Sequence, residues 1–154
     1  MCTGNVCRSP MAAAILRRLL AERGVEGVAV TSAGTTPWDG APASEGSYLV
    51  SLEHGLDLSD HRARQLTTDL VADADLVLGM AAHHVERVAQ LGGAGKANLL
   101  GVYGGAAEDA AEVSDPFGGT LEEYRATYDR LVVLLEAAVP RLIAERPDAD
   151  PGQH

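Results

Sequence analysis

The sequence predicts an α/β fold built on a parallel sheet. Short apolar runs, Val28-Ala29-Val30-Thr31-Ser32, Asp75-Leu76-Val77-Leu78-Gly79-Met80 and the weaker Lys96-Ala97-Asn98-Leu99-Leu100, alternate with stretches of helical periodicity. Runs this short and apolar suit strands covered on both faces, as parallel strands are. Strand alternating with helix is the order that lays parallel strands side by side under helices. The 154 residues fit one domain, and neither a repeat nor a linker interrupts them. Sites in such sheets lie beyond the carboxyl ends of the strands.

Residues 10–23 read as the first helix. Pro10 stands in its first turn, where a missing N–H is not needed. Ile15, Leu16, Leu19 and Leu20 share one face, and Gly24 ends it. The run 28–32 reads as a buried strand, and Gly34 opens a loop holding Pro37, Trp38, Gly40 and Pro42. Residues 43–54 form a second helix stopped at Gly55. A connection follows to His61, and Thr67 or Thr68 can cap a short helical piece. After the strand 75–80, residues 81–91 read as a helix closed by Gly92-Gly93. The Gly-, Ala- and acid-rich segment 101–112 reads as a flexible loop. Leu121 to about Ala144 is the longest helix, with Tyr124, Tyr128, Leu131, Leu135 and Val139 at helical spacing, the tyrosines as core. The domain then spans 1–146, and residues 147–154 read as a disordered tail.

The formal net charge of −10 argues against a nucleic acid or an anionic membrane as partner. No run is long and apolar enough to cross a bilayer, and no signal peptide is visible. The two cysteines, Cys2 and Cys7, sit so close together that a structural disulfide would add little, which points to a reducing, cytoplasmic setting. His54, His83, His84 and His154 have no metal-ligand spacing. Adjacent His83 and His84 read as surface residues. Asp73 and Asp75 border a strand. No metal and no cofactor is expected.

The chemistry concentrates in Cys2-Thr3-Gly4-Asn5-Val6-Cys7-Arg8-Ser9-Pro10. A loop closing onto a helix N-terminus aims several backbone N–H groups at one spot, which suits an anion. The same field favours the thiolate of a Cys at the start of the loop. Arg8 adds a planar charged fork that matches phosphate oxygens. As a plain surface cation it would oppose the helix dipole, unless an anion is bound. Cys2 is therefore the candidate nucleophile, and an incidental Cys near a terminus is the weaker reading. Ser9 caps the helix, donates to the Cys2 sulfur, or does both. Asn5 is a residue that tolerates left-handed turns. Taken alone, Asp115 before Pro116 is a turn residue. Trp38, set among Pro, Asp and Gly, does not read as core.

This loop resembles the active-site loop of the low-molecular-weight protein-tyrosine-phosphatase family. Ser32-Ala33-Gly34, Trp38, Asp60-His61-Arg62-Ala63-Arg64-Gln65-Leu66, Ala74-Asp75-Leu76-Val77-Leu78 and Ser114-Asp115-Pro116-Phe117-Gly118-Gly119 are similar to family signatures and follow in family order. The resemblance runs over roughly residues 2–140. It implies a three-layer sandwich around a four-stranded parallel sheet, and a phosphoric monoester hydrolase acting on a phosphorylated protein through a phosphocysteine intermediate. Cys2, Arg8 and Asp115 would be catalytic, Asp115 as the general acid. Thr3, Gly4, Asn5, Val6, Cys7 and Ser9 would cradle the phosphate, with Trp38 and Phe117 as aromatic walls. Ser32 and His61 would lock the loop through Asn5. Cys7 reads either as packing or as the partner of Cys2 in a protective reversible disulfide.

Two features depart from the family. Met1 stands where a hydrophobic strand precedes the nucleophile, so the first central strand is expected to be missing from this chain. In a sequence this rich in Ala, Gly and Arg, a GTG codon for a strand-final Val can be taken as a start. A chain without that strand is expected to be unstable, partner-dependent or inactive until a short apolar upstream run restores it. Ala13 stands where Glu is common. Val6 is apolar, as in phosphotyrosine phosphatases. Thr3, Phe117-Gly118-Gly119, Tyr124 and Tyr128 look more like the bacterial protein arginine phosphatases, which carry Thr where Val6 stands. An arsenate reductase would need further redox cysteines after Cys7, and there are none. An inactive phospho-binding module is the remaining alternative.

Overall fold

The computed structural model of the chain describes residues 1–147. The tail expected at 147–154 lies, apart from Pro147, outside the described residues. In chain order the elements are α1 (Arg8–Glu22), α2 (Glu45–Glu53), α3 (Thr68–Asp73), β1 (Val77–Gly79), α4 (Ala82–Val88), β2 (Ala97–Leu99), α5 (Leu100–Tyr103) and α6 (Leu121–Ala144). A wide turn, Ala89–Gly93, continues α4 and stops at Gly92, whose φ of 95° ends the helical run. Thr67 caps α3 by accepting from the Leu70 N–H.

α1 is the central helix. Its residues from Met11 to Leu16 are all buried, so it is covered nearly all round rather than along one stripe. Its main cover is α6, which contributes Tyr124, Tyr128, Leu131, Leu135 and Val139 to the same core. Thr120 and Glu123 start α6 with a reciprocal capping box. A smaller cluster of Ala33, Leu66, Val71 and Val88 closes the far side.

The strands depart from expectation. β1 and β2 pair in parallel, Val77 with Ala97, Leu78 with Asn98 and Gly79 with Leu99. Residues 28–32, expected as a strand, form none. The parallel order continues beyond β1 only as single bridges, Cys2 with Gly34 and Gly34 with Gln65. Met1 and Cys2 lie between two pieces of chain. The Met1 amine donates to the Leu78 carbonyl at 2.6 Å, the Met80 N–H donates to the Met1 carbonyl at 3.2 Å, and the Cys2 N–H donates to the Ala33 carbonyl at 3.3 Å. Past Met1 the slot is open. A cavity of about 870 Å³ runs on between residues 28–33 and 76–80, lined by Ala12, Leu16, Val30, Leu78, Leu100 and Leu135. A strand exists through its ladder partners. Residues 28–32 face a cavity instead of a neighbour, and that is why their apolar, β-branched sequence does not become one. Among the described residues, the four-stranded sheet is thus a two-stranded sheet extended by bridges.

The segment 101–112 also differs from the loop expected there. It holds α5 and a single 3₁₀ turn, Glu108–Ala110, and buries Tyr103 and Ala111.

Candidate active site

The loop from Cys2 to Cys7 joins the sheet edge to α1, and Asn5 is its pivot. Asn5 is fully buried with φ of 55°, a left-handed conformation that Asn tolerates better than other side-chain-bearing residues. Its amide nitrogen donates to Ser9 Oγ at 2.8 Å and to Ser32 Oγ at 2.9 Å. Its side-chain oxygen accepts from the Arg64 N–H at 3.0 Å. Its carbonyl lies 2.6 Å from His61 Nε2. A carbonyl can only accept, so His61 carries its proton on Nε2. Burial holds His61 below the usual imidazole pKa, with the bond to Asn5 opposing that shift. Gly34 backs the loop so closely that a Cβ there would collide with the Thr3 carbonyl and the Asn5 backbone.

This network sets the nucleophile. Ser9 Oγ accepts from Asn5, and it lies 3.0 Å from Cys2 Sγ. With its oxygen receiving the amide proton, the Ser9 hydroxyl is left to donate to the sulfur, the arrangement that stabilises a thiolate. Of the two readings of Ser9 the capping one fails: Ser9 lies inside α1, and Cys7 occupies the N-cap position without a side-chain cap, so the Ser9 hydroxyl serves the sulfur and Asn5 alone. The first turn of α1 therefore keeps uncapped N–H groups.

Arg8 is buried beside them. Its Nη1 donates to the Val113 carbonyl at 2.9 Å, and its Nη2 lies 3.5 Å from Asp115 Oδ2. Its Nε is buried with no protein partner among the described residues. A buried, unpaired guanidinium N–H beside uncapped helix N–H groups is an arrangement for an anion. Asp115 is half-exposed at the rim, with Oδ1 accepting from the Phe117 N–H at 3.1 Å. The turn so formed leaves Phe117 72% exposed, and Trp38 is 86% exposed, outside the core as its Pro, Asp and Gly neighbours suggest.

Cys2, Asn5, Arg8, Ser9, Ser32 and His61 thus come together, with Asp115 joined through Arg8. The Trp38 and Phe117 side chains stand out in solvent, and Phe117 reaches the network only through its backbone N–H to Asp115. Cys7 points elsewhere. Its sulfur lies 3.3 Å from both Ser44 Oγ and Tyr124 Oη, tying the loop to the start of α2 and to α6. Burial pushes its thiol pKa up, and both cysteines are free thiols. Burial likewise pushes the Tyr124 hydroxyl up to about 12.

One expectation is overturned. His84 is not a surface residue: it is 0% exposed, and its Nε2 lies 2.8 Å from Thr3 Oγ1. The available signal was its place one turn before Val88, which is fully buried on the same face of α4. The Val113 carbonyl and the Arg64 N–H were beyond any sequence signal, since they act through backbone.

The family described as Low molecular weight phosphotyrosine protein phosphatase matches residues 1–147. The chain belongs to this family. A probable low molecular weight protein-tyrosine-phosphatase, EpsP, of Ralstonia nicotianae is 36% identical over 146 residues, covering 94% of each chain. A protein-arginine-phosphatase of Geobacillus stearothermophilus is 34% identical over 146 residues, covering 95% of each. The solved structure of the YwlE arginine phosphatase from the same organism superposes with a TM-score of 0.85 at 33% identity, over 99% of this chain and 95% of the other. This low-molecular-weight phosphatase is accordingly a hydrolase with an α/β fold, and phosphoproteins are the substrate class of its family. No helix among the described residues is long and apolar enough to cross a membrane.

Proposed function

We propose that this phosphatase hydrolyses phosphotyrosine in proteins through a phosphocysteine intermediate. The observation that carries the mechanism is the Cys2–Ser9–Asn5 chain of hydrogen bonds next to the unpaired Arg8 Nε. The Cys2 thiolate attacks phosphorus in line, forming the S–P bond as the P–O bond to the tyrosine breaks. Arg8 and the loop N–H groups hold the non-bridging oxygens and offset the charge that builds on them. Asp115 gives its proton to the leaving phenol oxygen. It then takes one from the water that attacks phosphorus, and the S–P bond breaks to return thiolate and inorganic phosphate. Ser9 stabilises that departing sulfur. The reading also draws on a solved YwlE arginine phosphatase variant with a phosphorylated active site serine, which superposes at TM-score 0.85 and 34% identity over 94% of each chain.

Phosphotyrosine rests on Val6, whose methyl groups cannot donate a hydrogen bond or orient water beside the phosphorus. Phosphoarginine is the second reading. It rests on Thr3 and Phe117-Gly118-Gly119 and on the likeness to the protein-arginine-phosphatase. Exchanging Val6 for Thr tests the pair: Val6→Thr shifts turnover toward phosphoarginine peptides if Val6 sets the choice. An unmodified chain that already prefers phosphoarginine overturns the Val6 argument.

We further infer that the active fold is a three-layer sandwich with four parallel strands. The parallel pairing of β1 with β2 and the parallel bridges of Gly34 with Cys2 and with Gln65 support this. A nucleophilic thiol that must stay reduced favours the cytoplasm as its setting.

A further inference from the structure

His84 takes no part in the chemistry above, yet its side chain is completely enclosed and both ring nitrogens are engaged. The Ala81 N–H points at Nδ1 from 3.1 Å. An N–H can only donate, so Nδ1 carries no proton, and a neutral ring must carry its proton on Nε2. That proton lies toward Thr3 Oγ1, 2.8 Å away. The ring has little freedom to turn. It sits in the first turn of α4, and Gly79 of β1 lies so close that a Cβ there would press on His84 Cβ and on Val85. Burial first, then the nearby His83, Arg8 and Met1 amine, hold the His84 pKa down at about 3, so the ring is neutral across the physiological range.

Thr3 directly follows the nucleophile. Its carbonyl accepts from the Thr36 N–H at 3.1 Å. With its hydroxyl oxygen occupied by His84 as well, Thr3 is tied on both its main chain and its side chain, and its own hydroxyl proton is left free to donate. We infer that His84 is a positioning residue for the phosphate loop: through Thr3 Oγ1 it fixes the first residue after Cys2 and leaves the Thr3 hydroxyl as a hydrogen-bond donor. The inference rests on the reading of residues 2–9 as the phosphate cradle. It adds a tether from α4 that is independent of the Asn5 network, which reaches Ser32, His61 and Arg64.

The experiment is a double-mutant cycle on His84 and Thr3 with the full chain, together with ¹⁵N NMR of the histidine ring. His84→Leu keeps volume and removes the donor, His84→Gln restores an N–H near the Nε2 position, and Thr3→Val removes the acceptor. His84→Leu should lower kcat on an aryl phosphate by roughly 10- to 100-fold, the scale of a small misplacement of reacting groups. It should also weaken competition by inorganic phosphate. His84→Gln should recover most of the loss, and adding Thr3→Val to His84→Leu should cost little more. The ring spectrum should show the Nε2–H tautomer. Full activity in His84→Leu, or losses that multiply in the double variant, would overturn the inference. If His84→Leu does not fold, Thr3→Ser against Thr3→Val decides: serine should retain activity and valine lose it, and equal activities contradict the tether. A spectrum showing Nδ1–H contradicts it regardless. If the unmodified chain turns over no aryl phosphate, the proposed function fails, while the tautomer and the coupling in inorganic phosphate binding still test the tether.

Discussion

The two sides of Cys2 are built in opposite ways. On its C-terminal side, residues 3–9 form a loop in which the polar atoms of the buried Asn5 side chain all have partners, drawn from Ser9, Ser32 and the Arg64 backbone. On its N-terminal side, Met1 adjoins a cavity of about 870 Å³ lined by apolar residues such as Leu16, Val30 and Leu78 and by charged ones such as Asp75, Lys96 and Arg141. The cradle is shaped by side-chain bonds to three separate segments, so its geometry does not depend on a finished sheet. Its anchorage does: the Cys2 N–H donates to the Ala33 carbonyl and its carbonyl accepts from the Thr35 N–H, while Met1 holds a buried amine against the Leu78 carbonyl. The site is held by side-chain bonds, and the sheet edge beneath it by a few backbone bonds.

The largest effect should come from the nucleophile. Cys2→Ser should abolish aryl-phosphate hydrolysis while inorganic phosphate still binds, because Arg8 and the loop N–H groups are untouched. Appreciable turnover by this variant would remove Cys2 from the mechanism. Next is the rim. Asp115→Asn should slow hydrolysis by about 10²–10⁴-fold on a poor leaving group, and far less on an activated aryl phosphate that needs no proton. Equal losses on both would make Asp115 structural.

The comparison itself is broken by Asn5→Ala. This strips the partners from Ser9, Ser32 and the Arg64 N–H, and leaves Ala in a left-handed conformation. Each buried group left unpaired costs about 1–3 kcal/mol, so a clear fall in Tm and in turnover is expected. Unchanged values would show that the loop holds its shape without this network.

These expectations also mark what a sequence can carry. The cradle was legible because Cys2, Asn5, Arg8 and Ser9 are neighbours along the chain and their spacing is their geometry. α6 was legible through its periodicity, whereas the capping box of Thr120 and Glu123 that starts it was not read from the sequence. The strand at 28–32 was not, because strand character depends on a neighbour and composition cannot say whether one is present. His84 was misread because the pair was taken together, although only His84 stands one turn before Val88 on the buried face of α4. The Val113 carbonyl that holds Arg8 has no side chain to advertise it.

A smaller effect should follow from filling the floor. Fusing a short run of Val, Leu and Ile before Met1 should raise Tm, since each side chain that becomes buried adds about 1.5–3 kcal/mol. It should also remove a pH dependence. Desolvation holds the Met1 amine below its usual pKa of 8.0. The unfolded chain therefore binds that proton first, and stability falls as pH drops below about 8. No gain in Tm from the fusion would mean that the chain completes its core in another way.

The mildest change should be seen in acid. His61 and His84 both have depressed folded pKa values, His84 about 3 against an ordinary 6.5. The unfolded chain takes up these protons first, so the contribution of the two histidines to stability is full above about pH 6.5 and declines toward pH 3. Thermal melts of the unmodified chain and of His84→Gln should diverge in that window. Parallel curves would mean that His84 is not buried as a neutral ring.

The most direct test is a side-by-side measurement of kcat/KM on a phosphotyrosine peptide and a phosphoarginine peptide, using the chain with the apolar run fused before Met1. The account predicts turnover of both classes to depend on Cys2, with phosphotyrosine preferred because Val6 offers no hydroxyl. A preference for phosphoarginine, or turnover that survives Cys2→Ser, would contradict it.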